Sequence, residues 1–146
     1  MTRRAHAISV LFLLGASLIA SAGKEQSLQE LVDHAQSARP EDRPVIYVEI
    51  MDRQLKVADQ LYREGKVSDA RGAVGDVVIY ADKAHDAALA TSKKLKGIEI
   101  SLRKAAAKLR DIRRSLAFEN QGPVQAASEH IEQLRTDLLN HMFAKD

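Results

Sequence analysis

Residues 67–116 read VSDARGAVGDVVIYADKAHDAALATSKKLKGIEISLRKAAAKLRDIRRSL, and a single heptad register runs through them without a skip. Position a holds Val67, Val74, Ala81, Ala88, Leu95, Leu102, Leu109 and Leu116, and position d holds Ala70, Val77, Ala84, Thr91, Ile98, Ala105 and Ile112. Only Thr91 in this seam is polar. A 3-4 spacing of apolar residues places them on one side of a helix, so the stretch predicts one long helix. At 1.5 Å per residue that helix would measure roughly 75 Å, a spine for the remaining elements.

Outward from the spine, both flanks read as helices that fold back on it. On the N-terminal side, Gly65 suits the left-handed position that closes a helix, and Ser68 with Asp69 suits the start of the next. The helix before it runs from Pro44 to Glu64 with a seam of Val48, Met51, Leu55, Ala58 and Tyr62. The β-branched cluster Val45-Ile46-Tyr47-Val48 has strand character, but no other segment could pair with it, which assigns it to this helix. Earlier still, Ser27-Leu28-Gln29-Glu30 has the form of a capping box and opens a short helix ending near Arg39, before Pro40. On the C-terminal side, Glu119-Asn120-Gln121-Gly122-Pro123 is a turn with Pro123 placed at the first helical position. The stripe Val124, Ala127, Ile131, Leu134, Leu138 and Met142 follows it.

Leu61, Gly65, Ala70, Val74 and Val77 are spaced in a way similar to a tetratricopeptide helical hairpin. The resemblance covers one unit of about 34 residues with no second copy at that period, whereas such arrays need about three repeats, so it implies a shared hairpin geometry and no specific function.

The fold class that follows is all-α: a long central helix with antiparallel flanking helices, bundle- or coiled-coil-like, about four helices in all. The helix before Gly65 should cover the spine as far as residue 88, and the last helix should reach back to about residue 97. Between them lies Thr91-Ser92-Lys93-Lys94-Leu95-Lys96-Gly97, the most polar part of the spine. A continuous spine is the expectation; a break in this gap would instead fold two hairpins onto each other as a four-helix bundle. With a continuous spine, the C-terminal half has one neighbour, and Leu102, Leu109, Ile112 and Leu134 are left partly exposed. Those four residues are the candidate dimer seam, and a two-fold homodimer is the expected assembly.

Residues 1–22 read as a cleavable secretory signal peptide. Arg3 and Arg4 form the charged region, Ile8 to Ala20 the apolar region, and Ala20-Ser21-Ala22 the small residues at the cleavage position. The apolar run is shorter than the roughly 20 residues needed to span a bilayer. A single helical domain, residues 23–146, should therefore be exported to a periplasm or secreted, with no transmembrane helix after cleavage. The mature chain carries 20 Lys plus Arg against 20 Asp plus Glu, and this neutrality argues against nucleic-acid binding. The absence of cysteine excludes disulfides, thiol catalysis and cysteine-ligated metal clusters.

No catalytic constellation is present: there is no nucleophile elbow, phosphate-cradling glycine loop or Glu-x-x-His pair. Asp82 with His85, and Asp137 with His141, have spacings that put two ligands on one helix face, but any acidic, histidine-containing helix produces them, and they read as solvated surface. Met51 and Met142 lie on apolar stripes as gap fillers. The expectation is a protein without enzyme activity, cofactor or metal.

Charge is distributed more informatively. Residues 93–114 carry nine basic and two acidic residues, a net of +7, so the rest of the mature chain carries −7. Lys94, Lys108 and Arg113 flank the seam and should face the acidic last helix. Lys96, Arg103 and Arg110 fall at position b, facing away, with Arg103 in i,i+4 reach of Glu99. Lys93, Lys96, Arg103, Lys104, Arg110 and Arg114 form the candidate surface for an anionic or protein partner. The sequence thus favours an exported interaction or scaffold module. The alternatives are a binder of anionic envelope surfaces or polyanions through this stripe, and a small-molecule or metal carrier in the bundle core.

Overall fold

The computed structural model describes residues 26–144, so the signal peptide read at 1–22 lies outside the described residues. The chain is all-α. Its helices are α1 (Leu28–Ser37), α2 (Arg43–Arg63), α3 (Val67–Thr91), α4 (Leu95–Ser115) and α5 (Gln121–Phe143), with a single 3-10 turn at Phe118–Asn120 before α5.

Local chemistry sets most of the boundaries. At the start of α1, Glu30 N–H donates to Ser27 Oγ at 3.1 Å and Ser27 N–H donates to Glu30 Oε2 at 2.8 Å, the reciprocal capping box. Pro44 occupies the first turn of α2, where a missing N–H costs nothing. Gly65, at φ 74, reverses the chain after α2, and Lys66 N–H closes the turn on the Leu61 carbonyl at 2.9 Å.

The spine is not continuous. It ends as α3 at Thr91 and resumes as α4 at Leu95, because Ser92 (φ 52) and Lys94 (φ 61) both adopt the left-handed conformation. Around the break Thr91 Oγ1 donates to the Ala87 carbonyl at 3.1 Å and accepts from Lys93 N–H at 3.4 Å. Two left-handed residues cost about 1–2 kcal/mol each. Against this, each large apolar side chain taken from water contributes about 1.5–3 kcal/mol. Leu102, Leu109 and Ile112 are all buried within the chain, so packing outweighs the strain.

That burial corrects the exposed seam expected from the sequence. Leu102 and Leu109 are 0% exposed, Ile112 is closed, and Leu134 is half-buried against the same core. The reason is that α4 packs on α2 and α3 as well as on α5, rather than on one helix. Paired side chains fix the directions. Gln54 with Asp76 and Tyr47 with Tyr80 make α2 and α3 antiparallel; Arg110 with Glu132 and Arg113 with Gln125 do the same for α4 and α5. By contrast, Arg71 with Asn120 and His85 with Asp137 advance together along α3 and α5, and Asp42 with Lys94 and Asp59 with Lys108 advance together along α2 and α4. Two antiparallel hairpins, α2–α3 and α4–α5, therefore pack face to face through parallel contacts.

The central helix is α3, the longest at 25 residues, lying between α2 and α5. It approaches closely because its inner face is largely alanine: Ala70, Ala73, Ala81, Ala84 and Ala88 are all buried. Met51 is fully buried in this core, and α1 covers a second small cluster of Leu31, Ala35, Ile46 and Ile50.

Candidate functional site

The basic stripe on α4 is sorted by two of its neighbours. Toward α2, Lys108 Nζ lies 2.9 Å from Asp59 Oδ2, and Lys94, just before the helix, lies 4.0 Å from Asp42. Toward α5, Arg110 pairs with Glu132 at 3.0 Å, and Arg113 donates to Gln125 at 3.3 Å. Arg114 pairs with Asp111 at 2.9 Å along α4 itself. The remaining four, Lys93, Lys96, Arg103 and Lys104, are exposed and make no side-chain ion pair or hydrogen bond among the described residues.

Four sequence assignments change. Arg110 does not face away but bonds to α5, and Lys94 and Lys108 face α2 rather than the last helix. Arg103 does not pair with Glu99, which is buried and accepts from Arg135 Nε at 2.6 Å; this bond, with help from Glu132, raises the Arg135 guanidinium above its ordinary range. A heptad register anticipates one partner helix, and a second partner recruits positions on its other flank.

The free cations continue onto a neighbouring element. Lys56 of α2 lines a groove with Lys104 and Lys108 of α4, floored by Leu55 and Ala105. Asp52 lines the same groove; the residue is exposed, but partial desolvation there raises its carboxyl against the opposing pull of Lys56 and Lys104. Asp59, one turn beyond Lys56, behaves oppositely. Burial is the largest single influence and pushes its carboxyl up, but hydrogen bonds from Lys108 and Arg63 together hold it below the usual range. Lys56 is invisible as a site residue in the sequence because only the parallel packing of α2 on α4 brings it to the stripe.

Of the four residues read as solvated surface, His85 departs from that reading, whereas Asp137 stays exposed. His85 is buried between α3 and α5, with Nδ1 2.9 Å from Asp86 Oδ1 and Nε2 2.8 Å from Asp137 Oδ2. A carboxylate only accepts, so both bonds form together when both ring nitrogens carry hydrogen. Asp82 pairs not with His85 but with His130 of α5, at 2.7 Å. These contacts clamp one hairpin to the other. Among the described residues no group of three or more His, Asp or Glu is placed to hold a metal ion, and no helix is long and apolar enough to cross a membrane.

Fold and surface together define a class: an all-α bundle of two docked hairpins, presenting a cationic face on one helix. Comparison with protein-family models, curated proteins and solved structures finds no match to this chain.

Proposed function

We propose that this chain is an exported, non-enzymatic interaction module that docks on an anionic envelope surface through the outer face of α4. The observation that supports this reading is the sorting of its cations. Lys94, Lys108, Arg110, Arg113 and Arg114 each find a partner within the chain, whereas Lys93, Lys96, Arg103 and Lys104 do not. Lys56 extends that unpartnered set across the α2–α4 groove. Clustered, unneutralised charge on a bundle of neutral overall balance is what steers association with a polyanion. Export rests on the leader at 1–22, and the intact mass of exported material should correspond to a chain beginning at Gly23.

The test is binding of the mature protein to phosphatidylglycerol-containing vesicles at low ionic strength. Binding should weaken steeply as salt is added, as counterion release requires. The triple change Lys96→Glu, Arg103→Glu and Lys104→Glu should abolish it while helicity and thermal midpoint stay close to those of the parent. Arg110→Glu is the control: it breaks the contact with Glu132 and should act on stability. No affinity for such vesicles, or for an anionic polysaccharide, at low salt would refute the reading.

A further inference from the structure

A second surface lies on the other side of the bundle, where α3 and α5 run parallel and α4 contributes nothing. There the surface between the two helices dips to an open groove of about 340 Å³. Its walls are Val74 and Val78 of α3 and Ala126 and Ala127 of α5, so it is predominantly apolar. Its ends differ. Arg71 stands at the end where α5 begins, and His130, bonded to Asp82 at 2.7 Å, closes the other.

Gly75 of α3 lines the same groove. A glycine inside a helix costs about 1 kcal/mol relative to alanine. Such glycines are ordinarily kept for a left-handed backbone or for close approach of another element. Neither reason applies, because among the described residues the only glycine with positive φ is Gly65, and a Cβ at position 75 would meet nothing within 4 Å. With hydrogen in place of a side chain, position 75 leaves the groove open. Any longer side chain there would project into it.

Arg71 supplies the polar recognition. Its Nη2 donates to Asn120 Oδ1 at 3.2 Å, a contact that orients the guanidinium, and among the described residues no carboxylate lies within ion-pair distance of it. A guanidinium has five N–H donors in a fixed fork that matches a carboxylate. The acidic Asp82 near the opposite end would repel an anion, so charge fixes one orientation: head at Arg71, tail toward His130.

We infer that the α3–α5 groove binds a small amphipathic carboxylate, an acid with an unbranched or aromatic apolar tail of about ten carbons, a size suited to the lower end of ordinary ligand pockets, about 300 Å³. Apolar walls hold the tail and Arg71 holds the carboxylate. The site shares no residue with the α4 face, so it stands independently of the docking function.

The test uses the full mature chain, with decanoate as the probe and decanol as its uncharged counterpart, both titrated calorimetrically below the concentration at which decanoate forms micelles. Saturable binding of decanoate at one site per chain is expected. Gly75→Leu should abolish that binding while raising the thermal midpoint, since leucine is the better helix former. Gly72→Ala, off the groove, should raise the midpoint and leave binding unchanged. Arg71→Gln should weaken decanoate about tenfold, the loss expected for one charge-assisted contact, and leave decanol unchanged. Lys96→Glu with Arg103→Glu should not affect decanoate at all. The inference is overturned if the parent shows no saturable decanoate binding, if Gly75→Leu binds as the parent does, or if Arg71→Gln affects acid and alcohol equally.

Discussion

Replacing Ser92 and Lys94 together by glycine should change stability in opposite directions depending on whether the chain breaks between Thr91 and Leu95. With Ser92 at φ 52 and Lys94 at φ 61, each residue occupies the left-handed region. That conformation costs a non-glycine residue about 1–2 kcal/mol. Glycine removes the cost but returns about 0.5–1 kcal/mol through the greater freedom of the unfolded chain. Losing the Lys94 side chain adds little, because its Asp42 contact is long, at 4.0 Å, and both ends are solvated. The double variant should therefore be more stable than the parent by about 1–2 kcal/mol. In an unbroken helix the same glycines would each cost about 1 kcal/mol, a net loss of about 2. Equilibrium urea denaturation followed by circular dichroism separates these outcomes. Spin labels at Ser68 and Ser115 report the geometry directly. A single helix would hold those positions about 70 Å apart. The break brings their ends of α3 and α4 to one end of the bundle, where Arg71 reaches Asn120 at 3.2 Å. A loss of stability near 2 kcal/mol, together with labels near the longer distance, would refute the break and the packing argument built on it.

Other expectations follow from packing and from charge. Leu109 is fully buried, so Leu109→Ala should cost about 2–5 kcal/mol in urea denaturation. Because the seam is closed within the chain, light scattering of the parent should give one chain mass, and Leu109→Asp should unfold the protein; a two-chain mass halved by that change with helicity intact would contradict this. The Asp59 carboxyl is held below its ordinary range, so it adds stability above its unfolded value that is lost as pH falls through its folded value. Asp59→Asn should thus destabilise at neutral pH, with the difference from the parent shrinking below about pH 4. Asp52 has the opposite sign: its carboxyl is pushed up by partial desolvation, so its contribution is present below the unfolded value and lost as pH rises through the folded one. Because Asp52 is exposed, Asp52→Asn should stabilise only slightly at neutral pH and be neutral in acid, in the same urea series.

What could be read from the sequence was what depends on neighbours in the chain. The capping box at Ser27–Glu30, the glycine turn at Gly65 and the apolar stripes of α2 and α5 are local, and each marks a helix observed here. The break falls among the polar residues 91–97, yet the register predicts continuity because it survives the break: both α3 and α4 turn the same a and d positions inward, and neither left-handed residue is a glycine. Tertiary packing overrides local preference there. The site shows the same division. Helix phase alone turns Lys96 and Arg103 outward, as observed, but it cannot place Arg110, whose partner Glu132 belongs to a helix whose position the register does not specify. Pairs such as His85 with Asp137 and Asp82 with His130 depend on α3 and α5 running parallel, which no local pattern encodes.

The three residues between α3 and α5's hairpin partner α4 hold a stored alternative. If Ser92, Lys93 and Lys94 relaxed into right-handed helix, the register from Val67 to Leu116 would run on as one rod, carrying the two hairpins to opposite ends. Each hairpin would then show solvent the inner face it now lends the other, and the complementary face would be available on a second copy of the chain. Two copies exchanging hairpins would rebuild the same core twice and release the left-handed strain in each, opposed mainly by the entropy of association. Refolding from denaturant at high protein concentration is therefore the condition that selects the exchanged form, and glycines at 92 and 94, which remove the strain from the closed form, should suppress it.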